Sequence, residues 1–202
     1  MEIRFKKVYT EKKIKQVYEP ERKDEMELQT VLEKRRSIRE YRTDKVEDDK
    51  IREIIRAGIL APSWKNSQVT RYYAVRSEEM LGKVREALPE FNQKNTKNAP
   101  LLLVTTIVTN RSGFNPDGTP SNELGNGWGY YDCGMSNMNM ILKATELGLS
   151  TLVMGIRDEK KLRDVLEIPE EEAVVAVIGV GYSDAAPAMP KRKAVDDITK
   201  FY

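Results

Sequence analysis

Three guanidiniums and a hydroxyl fall within five residues in Arg35-Arg36-Ser37-Ile38-Arg39. Arg grips a phosphate with two parallel N–H donors, and Ser adds a neutral donor. Cations this close repel one another unless an anion lies among them. The same charges also suit the negative pole at a helix end. Alone, the motif therefore admits both a phosphate site and a solvated helix terminus. Ala61-Pro62-Ser63-Trp64-Lys65-Asn66-Ser67-Gln68 is a polar turn. The amides of Asn66 and Gln68 carry matched donors and acceptors for a planar, hydrogen-bonding ring. By itself the segment reads equally as a helix stop and a loop. Asn92 and Asn95 precede an apolar run, and Met154-Gly155 ends a strand-like one. A Gly there lets backbone approach a ligand closely. Lys191-Arg192-Lys193 forms a basic triplet near the end of the chain.

Two counts exclude most other chemistry. The 202 residues contain no His, which removes His-based acid–base catalysis, catalytic triads and most zinc sites. There is one Cys, Cys133, which removes disulfide frameworks and iron–sulfur clusters. A lone Cys of this kind reads as an inert core residue. Chemistry, if present, then falls to a cofactor that the chain binds and tunes. Lys plus Arg number 34 and Asp plus Glu 32, a net charge of +2. That balance asks for neither nucleic acid nor membrane. No apolar run approaches a membrane span, and the first residues lack the apolar block of a signal peptide. A cytoplasmic protein is the expectation.

The elements that must hold these residues follow from periodicity. Leu28, Val31 and Leu32 share one face of a helix expected over Asp24–Arg36. Ile51, Ile54, Ile55 and Ile59 line a second helix, which Pro62 stops. Thr70–Val75 reads as a strand. Ser77 caps a helix expected to run to Leu88. Residues 101–109 form a continuous β-rich run, the signature of a buried central strand. Residues 111–129 carry five Gly and two Pro and read as a long loop. A helix is expected over Tyr130–Leu147, closed by Gly148. Its Met135, Met138, Ile141, Leu142 and Thr145 read as a core stripe. Ser150–Met154, Lys160–Leu166 and Ala173–Gly181 follow as strand, helix and buried strand. The mixture gives an α+β or α/β domain. Residues 1–26, with a loose alternation over Ile3–Tyr9, read as an arm, either solvated or wrapped on a partner subunit.

In this order, the motifs resemble the FMN-dependent nitroreductase family from about Leu28 to the C-terminus. RRSIREY matches its phosphate motif, APSWKNSQ its turn ending in Asn-x-Gln, GLSTLVMGI its Gly-Leu turn and glycine strand, and PKRKAVDDI its basic C-terminal signature. The resemblance implies an α+β, nitroreductase-like fold over residues 27–202, a mixed sheet flanked by helices, in an intertwined homodimer with FMN at the interface. It places Arg35 and Arg36 at the FMN phosphate, with Ser37, and with Arg192 and Lys193 (or Lys191) closing over it. Arg39 and Asn92 would lie at the pyrimidine edge, and the Gly155 N–H at flavin N5. Pro62, Ser63, Trp64 and Asn66 would come from the other subunit.

The implied chemistry is hydride transfer from NAD(P)H through flavin to a nitroaromatic, a quinone or a similar acceptor, by a ping-pong mechanism with no catalytic side chain. The lack of a Rossmann fingerprint is no objection, since Gly179-Val180-Gly181 has neither the third glycine nor a following helix. Departures from the family pattern are Val69-Thr70 for Pro-Trp, Asn95 for a Lys, and Met154 for an acidic residue. Phe114, Trp128 and Tyr130 are candidates for stacking over flavin or substrate. A flavin-binding or regulatory dimer with little turnover is the competing reading. A nucleic-acid module built on the basic clusters is a third, against which the near-neutral charge argues.

Overall fold

The computed structural model of the chain describes residues 26–202. The arm expected over 1–26 lies outside the described residues, Met26 aside. Four strands make one sheet in the order β1-β2-β4-β3: β1 (Thr70–Val75), β2 (Leu101–Val108), β3 (Ser150–Met154) and β4 (Glu172–Gly181). Every residue of β2 from Leu101 to Ile107 is buried, as a strand covered on both faces requires. The helices are α1 (Leu28–Lys34), α2 (Asp48–Ile59), α3 (Glu78–Arg85), α4 (Glu90–Thr96), α5 (Gly127–Glu146), α6 (Glu159–Leu166) and α7 (Val195–Ile198).

Two cores lie on the two sheet faces. Tyr41, Leu81, Val84, Leu152 and Leu162 belong to one; Ile51, Ile54, Leu103, Met140 and Ile178 belong to the other, under α2 and α5. Among the described residues, no helix is long and apolar enough to cross a membrane.

The α+β class is as expected, but the sheet's mixed character is slight. All three ladders are antiparallel. Among the described residues, parallel pairing is confined to a single bridge between Ser37 and Thr151. The segment after α1 forms only one backbone bond there, Ile38 N–H to the Thr151 carbonyl at 2.9 Å, so no fifth strand develops.

Helix ends follow local chemistry. The Ser77 hydroxyl accepts from the Met80 N–H, and the Asp158 carboxylate from that of Lys161, each capping its helix. Helix α3 stops three residues short of Leu88. Helix α5 closes as a Schellman motif, with Gly148 at φ 75°, the Leu149 N–H on the Ala144 carbonyl and the Gly148 N–H on that of Thr145. It also begins at Gly127, three residues before the sequence expectation.

Two expected apolar faces do not point into this chain. On α1 only Val31 is buried, while Leu28 and Leu32 are exposed. On α5 the buried residues are Gly129, Asp132, Cys133, Ser136, Asn137, Met140, Ile141 and Ala144. Of the expected stripe only Ile141 is buried; Met138 is exposed and Met135, Leu142 and Thr145 are intermediate. The inward face tolerates polar groups because they find partners. Ser136 pairs with the Tyr72 hydroxyl at 2.6 Å, and the Asn137 amide donates to Thr105.

Candidate functional site

The Arg35–Arg39 segment runs beside β3, in the same direction, through the Ser37–Thr151 bridge. The segment does not follow the strand further. The Ser183 hydroxyl donates to the Glu40 carbonyl at 2.6 Å and the Arg42 N–H to the Tyr182 carbonyl at 2.9 Å, beside the start of β3, whereas Gly155 follows its end. The Arg36 guanidinium folds back on the end of α1. Its Nη1 donates to the carbonyls of Glu33 and Arg35 at 2.5 and 2.8 Å, and its buried Nε has no partner. Among the described residues Arg39 Nη1 reaches only the Ser37 carbonyl, at 3.3 Å. Among the described residues, none of the three guanidiniums is paired with a carboxylate, although the chain forms ten such pairs elsewhere. An orphaned donor and three uncompensated cations at one edge are what an anionic group with several acceptor oxygens would satisfy.

Met154 ends β3 with its side chain buried, so it faces the core rather than the edge. Gly155 follows, exposed, and a Cβ built on it would meet nothing within 4 Å. The space over its backbone is open. Asn92 is buried in α4, where its carbonyl accepts from the Thr96 hydroxyl at 2.7 Å and its side-chain oxygen from the Asn95 amide at 3.4 Å. Thr96 and Tyr41 both approach Gly179, which pairs with Leu152 of β3. That contact places the end of α4 over β4, one strand in from the β3 edge. Burial pushes the Tyr41 phenol well above its ordinary value, so it serves as a neutral donor, to the Gly179 carbonyl at 3.2 Å. Lys191, Arg192 and Lys193 lie on an exposed tail. Arg192 bonds the Pro190 carbonyl, and no hydrogen bond or ion pair among the described residues ties the triplet to Arg35.

The other half of the expected site is elsewhere. Pro62, Ser63, Trp64 and Asn66 precede β1, at the opposite edge of the sheet from β3. Three strand spacings separate those edges, about 14 Å. Within one chain the two groups of expected residues are therefore set apart, at opposite edges of the sheet. The turn is tightly wound: Lys65, Asn66 and Gln68 have φ of 47°, 54° and 48°, in the left-handed region without a glycine. The Ser63 hydroxyl accepts from the Gln68 N–H at 2.9 Å. The Asp132 carboxylate accepts from the Trp64 N–H at 3.1 and 3.2 Å. Pro62, Ser63, Gln68, Arg71 and Asp132 line a cleft of about 240 Å³ beside it.

The loop 109–126 closes over the turn. Trp128 packs against Trp64, ring centroids 4.8 Å apart and tilted 48°, and its indole N–H is held by Asn122 at 2.9 Å. Of the three aromatics singled out, only Trp128 touches the turn; Tyr130 is exposed. Gly113, at φ 82°, makes the close packing possible, because a Cβ there would fall 2.5 Å from the Gly125 carbonyl oxygen and 2.7 Å from Trp128. Gly118 has the same φ of 82° and open space around it. Gly113→Ala should therefore cost about 2–5 kcal/mol, backbone strain plus overpacking, and lower the thermal midpoint by roughly 10 °C. Gly118→Ala carries only the strain, about 1 kcal/mol. Equal midpoints in a thermal melt would mean that the loop does not pack on Trp128.

Asp132 and the Ser136–Tyr72 pair escaped the sequence reading. Their signal was the small and polar set at helical spacing, Gly129, Cys133, Ser136 and Asn137, which marks the inward face of α5. Cys133 itself is fully buried and burial raises its thiol, so it is chemically quiet.

The Nitroreductase family model matches residues 32–182. A candidate NADH dehydrogenase/NAD(P)H nitroreductase of Archaeoglobus fulgidus is 35% identical over 152 residues, covering 73% of this chain and 80% of the relative. The NADPH-flavin oxidoreductase of Vibrio harveyi is 29% identical over 170 residues, covering 82% and 69%. A candidate nitroreductase of Exiguobacterium sibiricum, solved in complex with FMN, superposes with a TM-score of 0.78 at 20% identity, over 88% of this chain and 98% of that one. Family match, close relatives and shared architecture agree, and the chain belongs to the Nitroreductase family.

Proposed function

We propose that the chain is an FMN-dependent oxidoreductase that takes hydride from NAD(P)H and passes it to a small acceptor such as a nitroaromatic or a quinone. The observation that carries this reading is the Arg35–Arg36–Arg39 cluster, unpaired with any carboxylate among the described residues, bridged through Ser37 to β3, the strand that an open Gly155 follows. The names of the two relatives support the nucleotide donor and the flavin.

Arg35, Arg36 and Ser37 would hold the FMN phosphate. Arg39 places a cation where negative charge develops on reduction, and Asn92 adds a polar group on the same side. The exposed Gly155 leaves backbone free to approach the ring, since no side chain stands there. Bound FMN supplies the hydride acceptance and donation that a chain without His or a reactive Cys cannot.

The site is completed by a second copy of the chain. Pro62, Ser63, Trp64 and Asn66 of one copy would face Arg35–Arg39 of the other, which overcomes the separation of the half-sites within one chain. The surface between copies would be the apolar face left over on α1, α2 and α5, where Leu28, Leu32, Ile59, Leu60 and Met138 are exposed. A visible absorption spectrum before and after heat denaturation tests the reading. A flavin band released on heating and identified as FMN, with NAD(P)H oxidation by a quinone, is the expected result. A protein that neither carries nor takes up FMN would overturn it.

A further inference from the structure

We infer that Asp132 is a positioning residue for the cofactor site: its buried carboxylate ties the flavin-facing turn to the loop that covers it. The inference rests on the flavin reading above. Asp132 is the sixth residue of α5 and is 3% exposed. Among the described residues it has no cationic partner. Its oxygens instead accept the Trp64 N–H at 3.1 and 3.2 Å and the Ser112 hydroxyl at 2.6 Å. A buried charge held only by neutral donors is costly, and losing the carboxylate would leave the Trp64 amide unpaired.

The three groups join three separate segments. Trp64 opens the turn of left-handed residues, Ser112 opens the covering loop, and Asp132 anchors both to the longest helix. Next to this tether the turn also packs on the start of α5, Trp64 against Trp128. Strained backbone stays in place only when its surroundings over-determine it. With the carboxylate gone, Lys65, Asn66 and Gln68 can relax out of the left-handed region. Pro62, Ser63, Trp64 and Asn66 would then no longer be presented in one fixed arrangement. Asp132 touches neither cofactor nor substrate in this account; it acts through the Trp64 backbone.

The experiment compares Asp132→Ala, Asp132→Asn and Leu162→Ala with the wild type as dimers. Leu162 is fully buried in the other core, so its truncation destabilises without reaching the turn. FMN affinity is read by flavin fluorescence, and the bound flavin's surroundings by visible circular dichroism. Asp132→Ala should weaken FMN binding about tenfold and change the dichroism. Asp132→Asn still accepts from the Trp64 N–H, and the Ser112 hydroxyl can turn to accept from its amide, so binding should stay within about threefold. Leu162→Ala should lower the thermal midpoint and leave the dichroism alone.

Hydrogen exchange on the wild type adds a measurement that needs no variant. The Trp64 amide should be protected with and without FMN. Fast exchange there, unchanged binding in Asp132→Ala, or an equal loss in Leu162→Ala would each overturn the positioning role. A wild type that binds no FMN would instead overturn the flavin reading itself, and this role with it.

Discussion

Arg35→Ala and Arg39→Ala should each weaken FMN binding at least tenfold while shifting the thermal midpoint by no more than about 2 °C. The separation of the two effects follows from how little each side chain does for the fold. Neither guanidinium is paired with a carboxylate among the described residues, and Arg39 makes only one long bond, to the Ser37 carbonyl. What holds the segment in place is backbone: the Arg35 N–H on the Val31 carbonyl at 3.0 Å and the Ile38 N–H on that of Thr151. Alanine keeps both. A charge-assisted contact to phosphate or to an anionic ring is worth about 1.5–3 kcal/mol, a factor of roughly ten to a hundred and fifty in affinity. Arg36→Ala should behave differently. Its guanidinium satisfies two carbonyls at the end of α1, so its loss should lower stability as well as binding. Fluorescence titration with FMN alongside a thermal melt separates the three. Wild-type affinity in both Arg35→Ala and Arg39→Ala would remove the motif from the cofactor site.

The strands were legible because each is a short β-rich run whose pattern the sheet does not override. Thr70–Val75 and Ser150–Met154 occur at the bounds expected, and the continuous β-rich run of β2 marks a strand buried on both faces. Helix α5 was legible as a helix but not in orientation. Its most apolar stripe, which includes Met138 and Leu142, looks like a core face when the chain is read alone. The inward face is small and polar instead, and only the partners on Tyr72, Thr105 and Trp64 explain why it can be buried. The turn at 64–68 was legible as a turn and opaque in geometry. Left-handed backbone normally announces itself with glycine, and Lys65, Asn66 and Gln68 carry none. The site motifs could be found in order along the chain, but their distribution over two sheet edges is a property of strand order, which spacing does not encode.

That distribution makes assembly and cofactor binding one property, and the variant Leu60→Glu/Met138→Glu should show it. Leu60 is 77% and Met138 38% exposed. The first substitution therefore removes little packing within the chain, and the second only part of one side chain's. The isolated chain should stay folded with a modestly lower midpoint. Between two copies the same positions would place paired like charges in an apolar contact. Desolvating them costs several kcal/mol, and mutual repulsion adds to it. The mass in light scattering should fall from twice 23.2 kDa to 23.2 kDa. FMN affinity should fall with it by far more than in any single Arg variant. The monomer keeps Arg35–Arg39 and Gly155 but lacks a neighbour's Pro62–Asn66 turn within reach. Adding FMN should in turn drive the variant back toward dimer, because a ligand that binds only the assembled state favours it by mass action. A variant that is monomeric and still binds FMN as the wild type does would place both halves of the site within one chain. The strand order, with those halves at opposite edges of the sheet, argues against that arrangement.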